Sequence, residues 1–232
     1  MLERLDGILL ADNACENFLK EYQKPEFKEW IVANVSEIED CAKTEQDNPW
    51  HIYNCLEHIL HSVEEINKQT RGLDLSERRM LAYAMFFHDI GKPKTKFWRF
   101  AKAYQREVDS FFNHNNVGVE IANKVLGNFN FSQSEQEQIK ALIKEHDMFI
   151  NLTLDNQNGR KLLSKDVLLD KIYDFDKVGD GEKLMQYLIY VAKADNRAQN
   201  PEMTKESLRK LDIAQAYLNE IHKEKQLQCY VW

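Results

Sequence analysis

Glycine and proline are scarce in this chain, at 8 and 4 of 232 residues. Tight hairpin turns draw on both, so the scarcity disfavours a fold of many short strands and favours helices. Cysteine is as rare. Cys15, Cys41, Cys55 and Cys229 form no Cys-x-x-Cys pair, which argues against a thiolate zinc site and for a reducing compartment, the cytoplasm. No apolar run approaches the roughly 18 residues that mark a membrane helix, and the N-terminus lacks the apolar core of a signal peptide. No membrane association is therefore expected. Positive charge is also in short supply: 31 Lys and Arg against 38 Asp and Glu give a net charge of -7. An acidic surface argues against tight, indiscriminate binding to nucleic acid, while leaving room for a local basic patch.

What is present fits one large helical domain. A hydrophobic content of 43% is ordinary for a globular protein, and the length suffices for a substantial core. Residues 2 to about 45 read as two helices, with Pro25 opening the second. Trp50 to Asn67 reads as the next. Its apolar face is Ile52, Leu56, Ile59, Val63 and Ile66, and His51, His58 and His61 lie along it. Ser76 is placed to cap the helix that follows, which is apolar on all sides from Met80 to Phe87, a pattern that predicts central burial. Further helices are expected at 111 to 126, from a Ser132/Glu135 or Ser134/Glu137 capping box to Glu145, from Ser164 through Ile172, from about Glu182 to Arg197, and from about Met203 to Lys225. Residues 151 to 161 read as a polar loop.

The buried helix ends in Phe86-Phe87-His88-Asp89-Ile90-Gly91-Lys92-Pro93. Two polar residues at the edge of a core need partners, and metal coordination would satisfy both. His58, His114, His146 and Asp195 stand on, or at the ends of, other helices whose apolar faces turn toward the same core. Imidazole with carboxylate suits Mn, Fe, Co, Ni or Zn, whereas an all-oxygen set suits Mg or Ca. The segment from Lys92 to Arg106 interleaves cations with Phe97, Trp98, Phe100 and Tyr104. It reads either as a solvated loop or helix with its aromatics packed down, or as a phosphate-facing wall beside the site. An isolated histidine is more often structural than functional. On that footing His222 points to solvent, His61 is a polar neighbour or supporting partner of His58, and His51 could line the pocket. Asp147 reads as a solvent-facing neighbour of His146 or an acceptor supporting it.

Taken in order, His58 in LEHIL, then FFHDIGKPKT, FFNHNNVGVEIA, IKEHDMF and AKADNRAQNP, the chain resembles the HD-domain superfamily of metal-dependent phosphohydrolases. HDIGKP-x-T and the late Ala-Asp element are similar to the HD domain attached to bacterial tRNA nucleotidyltransferases. The resemblance covers roughly residues 48 to 200, leaving 1 to 47 as an N-terminal helical extension and 201 to 232 as a C-terminal helix of a single domain. It implies an all-α helical bundle. It implies His58, His88, Asp89 and Asp195 as ligands of one metal, with Asp89 able to bridge to a second. His114 and His146 would hold that second metal or contact substrate. The implied cofactor is one or two divalent ions, of Mn, Fe, Co, Ni, Zn or Mg. Lys92, beside the catalytic Asp89, would lie near the substrate phosphate, with Lys94, Arg197 and His51 as further substrate-binding candidates.

The implied activity is hydrolysis of a phosphoester by a metal-activated water. The substrate would be a nucleotide, a cyclic nucleotide or a phosphorylated small molecule, and the enzyme a phosphomonoesterase or phosphodiesterase. An RNA end is a further possible ligand. Two alternatives stay open: a non-catalytic module binding a nucleotide or RNA end, and a di-iron oxygenase on the same fold. No Gly-Ser motif followed by Asp-x-Asp occurs, so nucleotide addition is not expected and the HD part is expected to stand alone. The amphipathic terminal helices leave the oligomeric state open.

Overall fold

The computed structural model describes residues 1–155 and 160–229, and the side chains of all of these but 228 and 229. Residues 156–159 of the loop expected at 151 to 161 lie outside the described residues. The architecture is all-α, as the residue pattern predicts, with two small two-stranded sheets among the described residues. None of the described helices is long and apolar enough to cross a membrane.

The first 45 residues form four short helices rather than two: α1 (Leu2–Leu9), α2 (Ala14–Tyr22), α3 (Pro25–Asn34) and α4 (Glu37–Lys43). The turn formers Asp12 and Asn13 divide the first pair. The carbonyls left over at the end of α1 are satisfied from outside: the buried Asn67 amide donates to Leu9 O at 2.8 Å and to Ala11 O at 2.9 Å. Asn67 belongs to α5 (Cys55–Gln69), which starts five residues later than the periodicity suggests. Asn54 caps it, its Oδ1 accepting from the Glu57 amide at 2.9 Å. Trp50 and His51 are thereby left on the loop that precedes the helix.

The central helix is α6 (Leu75–Phe87). Asp74, not Ser76, is its N-cap. Asp74 and Glu77 form a capping box, and the Ser76 hydroxyl donates to Asp74 Oδ1. Every residue from Met80 to Phe87 is buried, because α5 packs on one side, α9 on another and α1 across the start. Here α9 is Gln133–Glu145, opened by the Ser132/Glu135 capping box. Phe86 meets Phe18 of α2 at 5.7 Å between ring centres, and Tyr83 meets Phe131 at 4.9 Å, spacings of favourable aromatic pairs.

After α6 the chain makes one helical turn, α7 (Lys92–Thr95), then an antiparallel hairpin of β1 (Phe97–Ala101) and β2 (Arg106–Ser110). Neither a loop nor a longer helix is present there. The tight turn that scarce glycine argued against is made with Gln105 at φ 51°, a non-glycine residue in the left-handed region. Then come α8 (His114–Val125), α9, a two-residue parallel pairing of β3 (Leu152–Thr153) with β4 (Lys161–Leu162), α10 (Lys165–Phe175), α11 (Gly181–Arg197) and α12 (Pro201–Cys229). Helix α11 packs against α5 and α12. Most of the buried apolar residues form one cluster running from Leu5 to Ile221, while Ala101, Val108 and Phe111 of the hairpin region and Ala198 lie outside it.

One glycine sets how closely two site-bearing segments approach. A Cβ on Gly91 would stand 2.2 Å from His114 O and 2.8 Å from Gly118 N, both backbone atoms that cannot turn away. We expect Gly91→Ala to lose about 3 kcal/mol of stability, the upper end of an overpacking penalty. A Cβ on Gly118 would press Ile143 Cγ2 at 3.3 Å but meet the backbone, Phe87 O at 3.5 Å and His88 O at 3.7 Å, only at ordinary contact distance, so Gly118→Ala is expected to cost less than about 1 kcal/mol. Urea unfolding of both variants checks this, and equal losses would contradict it.

Candidate metal centre

Six elements deliver polar side chains to one point inside this core. His58 is on the first turn of α5, His88 and Asp89 immediately follow α6, Lys92 opens α7, His114 opens α8, His146 follows α9, and Asp195 is near the end of α11. All are buried. Three of the histidines share one local device. His88 Nδ1 lies 2.6 Å from Met85 O, His114 Nδ1 2.7 Å from Phe111 O, and His146 Nδ1 2.7 Å from Ile143 O. Each acceptor is the carbonyl three residues back. His58 Nδ1 is 3.3 Å from Ala198 O. A carbonyl can only accept, so each Nδ1 carries a proton and each Nε2 is the ring atom left to take an ion or a second proton.

Those four Nε2 atoms converge in two groups around one carboxylate. His58 Nε2 is 3.1 Å from Asp89 Oδ2, 3.0 Å from Asp195 Oδ1 and 3.3 Å from His88 Nε2. His88 Nε2 is 3.3 Å from Asp89 Oδ2 and 3.6 Å from Asp195 Oδ1. On the other side of Asp89, its Oδ1 is 3.2 Å from His114 Nε2 and 3.7 Å from His146 Nε2, and those two nitrogens are 3.1 Å apart. Lone pairs facing lone pairs and carboxylate oxygens repel unless a positive charge sits among them. Donor atoms bonded at about 2.1 Å to one ion stand about 3.0 to 3.4 Å apart at octahedral or tetrahedral angles, close to the spacings found here. Asp89 Oδ2, fully buried, has the Lys92 ammonium as an ion-pair partner but no hydrogen bond of regular geometry. The residues therefore fit a divalent metal, with His58, His88, Asp89 and Asp195 able to hold one ion and Asp89, His114 and His146 another.

In the protein alone, protons answer the same demand for positive charge. Burial opposes a charged His88, yet Asp89 and Asp195 override it and hold the imidazole up at about 10. Burial also opposes ionised Asp89 and Asp195. The cations His88 and Lys92 hold Asp89 well below the usual carboxylate range, and hydrogen bonds from His58 and His88 do so for Asp195. The pair of carboxylates demands positive charge. Lys92 supplies part of it: its Nζ is 2.5 Å from Asp89 Oδ2, 2.8 Å from Gln46 Oε1 and 3.4 Å from His51 Nε2.

A cleft of about 250 Å³ opens onto this cluster. Asp89, His114, His146 and Asp195 are on its floor, with Lys92 and His51 in its wall and Trp50, Phe111 and Ile150 around them. Of the residues proposed from sequence to touch substrate, the structure brings Lys92 and His51 to the cleft and leaves two outside its lining. Lys94 is ion-paired to Glu37 at 2.7 Å and points to solvent. Arg197 is exposed, because two residues past Asp195 on a helix is about 200° around it. His61 is also elsewhere, 2.9 Å from Glu64 and against the Tyr53 ring. His222 faces solvent beside Glu182.

Asp147 Oδ2 stands 3.4 Å from His114 Nε2 and its Oδ1 3.5 Å from His146 Nε2, so of the two expectations for it, a solvent-facing neighbour or a partner of the histidines, the structure favours the second. Other cleft residues escape a reading of the sequence. Gln199 Nε2 donates to Asp195 Oδ1 at 2.9 Å, and Ser207 of α12 reaches the cleft from beyond residue 200.

An all-helical bundle with two buried His/Asp groups sharing one aspartate defines a metal-binding helical protein. The family follows: the HD domain model matches residues 51–200, and the chain belongs to the HD domain family, whose members are typically metal-dependent phosphohydrolases. It is also 25% identical over 116 residues to the A-adding tRNA nucleotidyltransferase of Deinococcus radiodurans. That alignment takes in 50% of this chain and 24% of the relative, so the match spans about a quarter of that protein's length.

Metal binding has a direct readout. At 100 times its dissociation constant an ion stabilises the fold by about 2.7 kcal/mol. We expect Mn or Ni to raise the melting temperature of the chelator-treated protein, and Asp89→Asn to abolish that rise. A shift that persists unchanged in Asp89→Asn would rule this centre out.

Proposed function

We propose that this chain is a metal-dependent phosphohydrolase, with the buried Asp89 group as its catalytic centre. The observation that carries this reading is the juxtaposition at one cleft floor. One carboxylate is shared by two histidine groups, and a buried lysine stands against it.

His58, His88, Asp89 and Asp195 would hold one divalent ion, and His114 and His146, with Asp89 between, a second. When bound, such ions lower the pKa of water and polarise a phosphoryl oxygen. The remaining work falls to the chain itself. Lys92 keeps Asp89 ionised and directed at both groups, and its charge draws an anion into the cleft. His51 is neutral, its pKa pushed down to about 2 by burial, with the Lys92 charge adding to the effect. Its Nε2 faces the Lys92 ammonium, so Nδ1 carries the proton, and that buried Nδ1 has no partner. It is a donor held ready for a substrate oxygen. In the hydrolysis, oxygen of water bonds to phosphorus, the ester P–O bond breaks and the leaving oxygen takes a proton, giving an alcohol and a phosphate. A cleft of about 250 Å³ is smaller than the range of about 300 to 1,000 Å³ for drug-sized ligands. It therefore admits the reacting phosphoester end of a nucleotide or phosphorylated small molecule, with the rest outside.

A colorimetric assay with a generic phosphomonoester and phosphodiester, under Mn, Fe, Co, Ni, Zn and Mg in turn, tests the proposal. We expect turnover that chelation abolishes. Removing Asp89 should forfeit several kcal/mol of transition-state stabilisation, so Asp89→Ala should lower kcat by about 10³-fold or more. Lys92→Met should cost about 10²-fold, as loss of one preorganised donor does. Circular dichroism of each variant checks that the helices persist. Binding of a nucleotide with no turnover under any metal would replace this reading with that of a binding module.

A further inference from the structure

Asp147 carries a carboxylate that no lysine or arginine among the described residues claims; its ion-pair partners are His114 and His146. It precedes the 3-10 turn Met148–Asn151, yet its side chain makes no capping hydrogen bond there. Instead it spans two rings, with Oδ2 3.4 Å from His114 Nε2 and Oδ1 3.5 Å from His146 Nε2. A carboxylate that only steadies a metal-binding histidine accepts from the ring nitrogen turned away from the metal. That place is taken in both rings, by Phe111 O on His114 Nδ1 and by Ile143 O on His146 Nδ1. Asp147 therefore stands on the side of the rings where an ion would sit. Its distances to the two Nε2 atoms fall between the 3.2 and 3.7 Å that Asp89 Oδ1 makes to the same pair.

The surrounding backbone holds this carboxylate in place. The Asn115 side-chain amide donates to Lys144 O at 2.8 Å, which ties the start of α8 to the end of α9 beside the paired rings. The Ile150 amide donates to Asp147 O at 3.1 Å. From α12, the buried Lys210 ammonium donates to Phe149 O at 3.0 Å and to Leu152 O at 2.7 Å, so the turn after Asp147 is fixed from the C-terminal helix. The Asp147 side chain keeps 27% of its exposure and lines the cleft. Asp89, by contrast, is enclosed, and its charge is already answered by Lys92 and shared between both histidine groups.

We propose that Asp147 is a direct ligand of the ion in the second group, which it completes as Asp89, His114, His146 and Asp147. This rests on the two-group metal centre described above and gives the second ion a carboxylate that it does not share with the first. Two imidazoles and two carboxylates form a mixed nitrogen and oxygen set that suits a divalent ion such as Mn. Four protein donors on a six-coordinate ion leave two positions, one for water and one for a phosphoryl oxygen. Asp147 supplies its donor from the cleft side, next to the positions that substrate would take.

The test is a titration of the chelator-treated full chain with Mn alone, followed by electron paramagnetic resonance, in which free Mn gives a signal that bound Mn loses. We expect two ions per chain in wild type. Asp147→Ala should keep the first and weaken the second by more than about 100-fold, beyond the roughly 10- to 100-fold that loss of an outer supporting residue costs. A smaller loss overturns the assignment, and so does a single ion in wild type whose affinity Asp147→Ala leaves unchanged. Retention of the first ion shows that the variant is folded. Wild-type crystals soaked in Mn need no variant. An Asp147 oxygen within about 2.6 Å of the second ion, the long end of metal–oxygen bonds, supports the ligand, and a longer distance overturns it. The outcomes separate the readings. No Mn taken up by wild type overturns the metal centre and this ligand together. Two ions bound with Asp147 beyond bonding distance overturn the ligand alone and leave the phosphohydrolase reading in place. Asp147 on the ion, with no ester hydrolysed under any metal, overturns the phosphohydrolase reading alone.

Discussion

Burying the carboxylate of Asp89 takes a negative charge out of water at the end of a helix that is apolar on every side. The residual exposure of that residue is 1%, and an isolated charge so placed is strongly unfavourable. The neighbouring structure answers that one constraint. Lys92 reaches back one turn to Asp89, Gln46 and His51 hold the lysine, and four imidazoles from separate elements turn their Nε2 atoms inward. The cluster still carries more acceptors than donors, and a bound cation is the simplest way to complete it. Because the partners come from α5, α7, α8, α9 and α11, a cation there would also lock these helices to one another.

Helix ends do the positioning. A histidine just past the last turn meets a carbonyl that has no partner within the helix. That carbonyl fixes both the ring's orientation and its tautomer. His88 and His146 use the device at the ends of α6 and α9, and His114 uses it at the start of α8 through Phe111 O. Asn113 prepares the last of these by taking φ 69°, a conformation asparagine tolerates better than most residues. Gly91 allows α8 to come close enough for His114 to face Asp89.

The helices and the six candidate ligands were legible in the sequence because both depend on local signals. Periodicity shows which face of α5, α8 or α11 is buried, and the residues at helix ends show where a polar group meets the core. What was not legible depends on how separate segments meet. Ser76 looks like a cap, but Asp74 two residues earlier offers the better acceptor and takes the role. Lys94 and Arg197 are cations near the right motifs, yet helical geometry turns them toward Glu37 and solvent. The hairpin was missed because its turn uses Gln105 where a glycine would be the usual sign. Gln46, Gln199 and Ser207 reach the site from a loop, a helix end and the C-terminal helix. No motif marks side chains whose role arises only from packing.

The two groups around Asp89 are not equivalent. His58 and His88 lie behind the carboxylates and contribute nothing to the cleft surface, so their group meets the cleft only through the edges of Asp89 and Asp195. His114, His146 and Asp147 all border the cleft, and Asp147 is the one acidic neighbour with substantial solvent contact. An ion in the first group would be enclosed and would exchange slowly. An ion in the second would keep positions open to solvent and to an incoming ligand, the arrangement that separates a catalytic site from a structural one. The phosphate end of a substrate entering between Trp50 and Ile150 would therefore meet the second group first. The first group would set the orientation of Asp89 from behind.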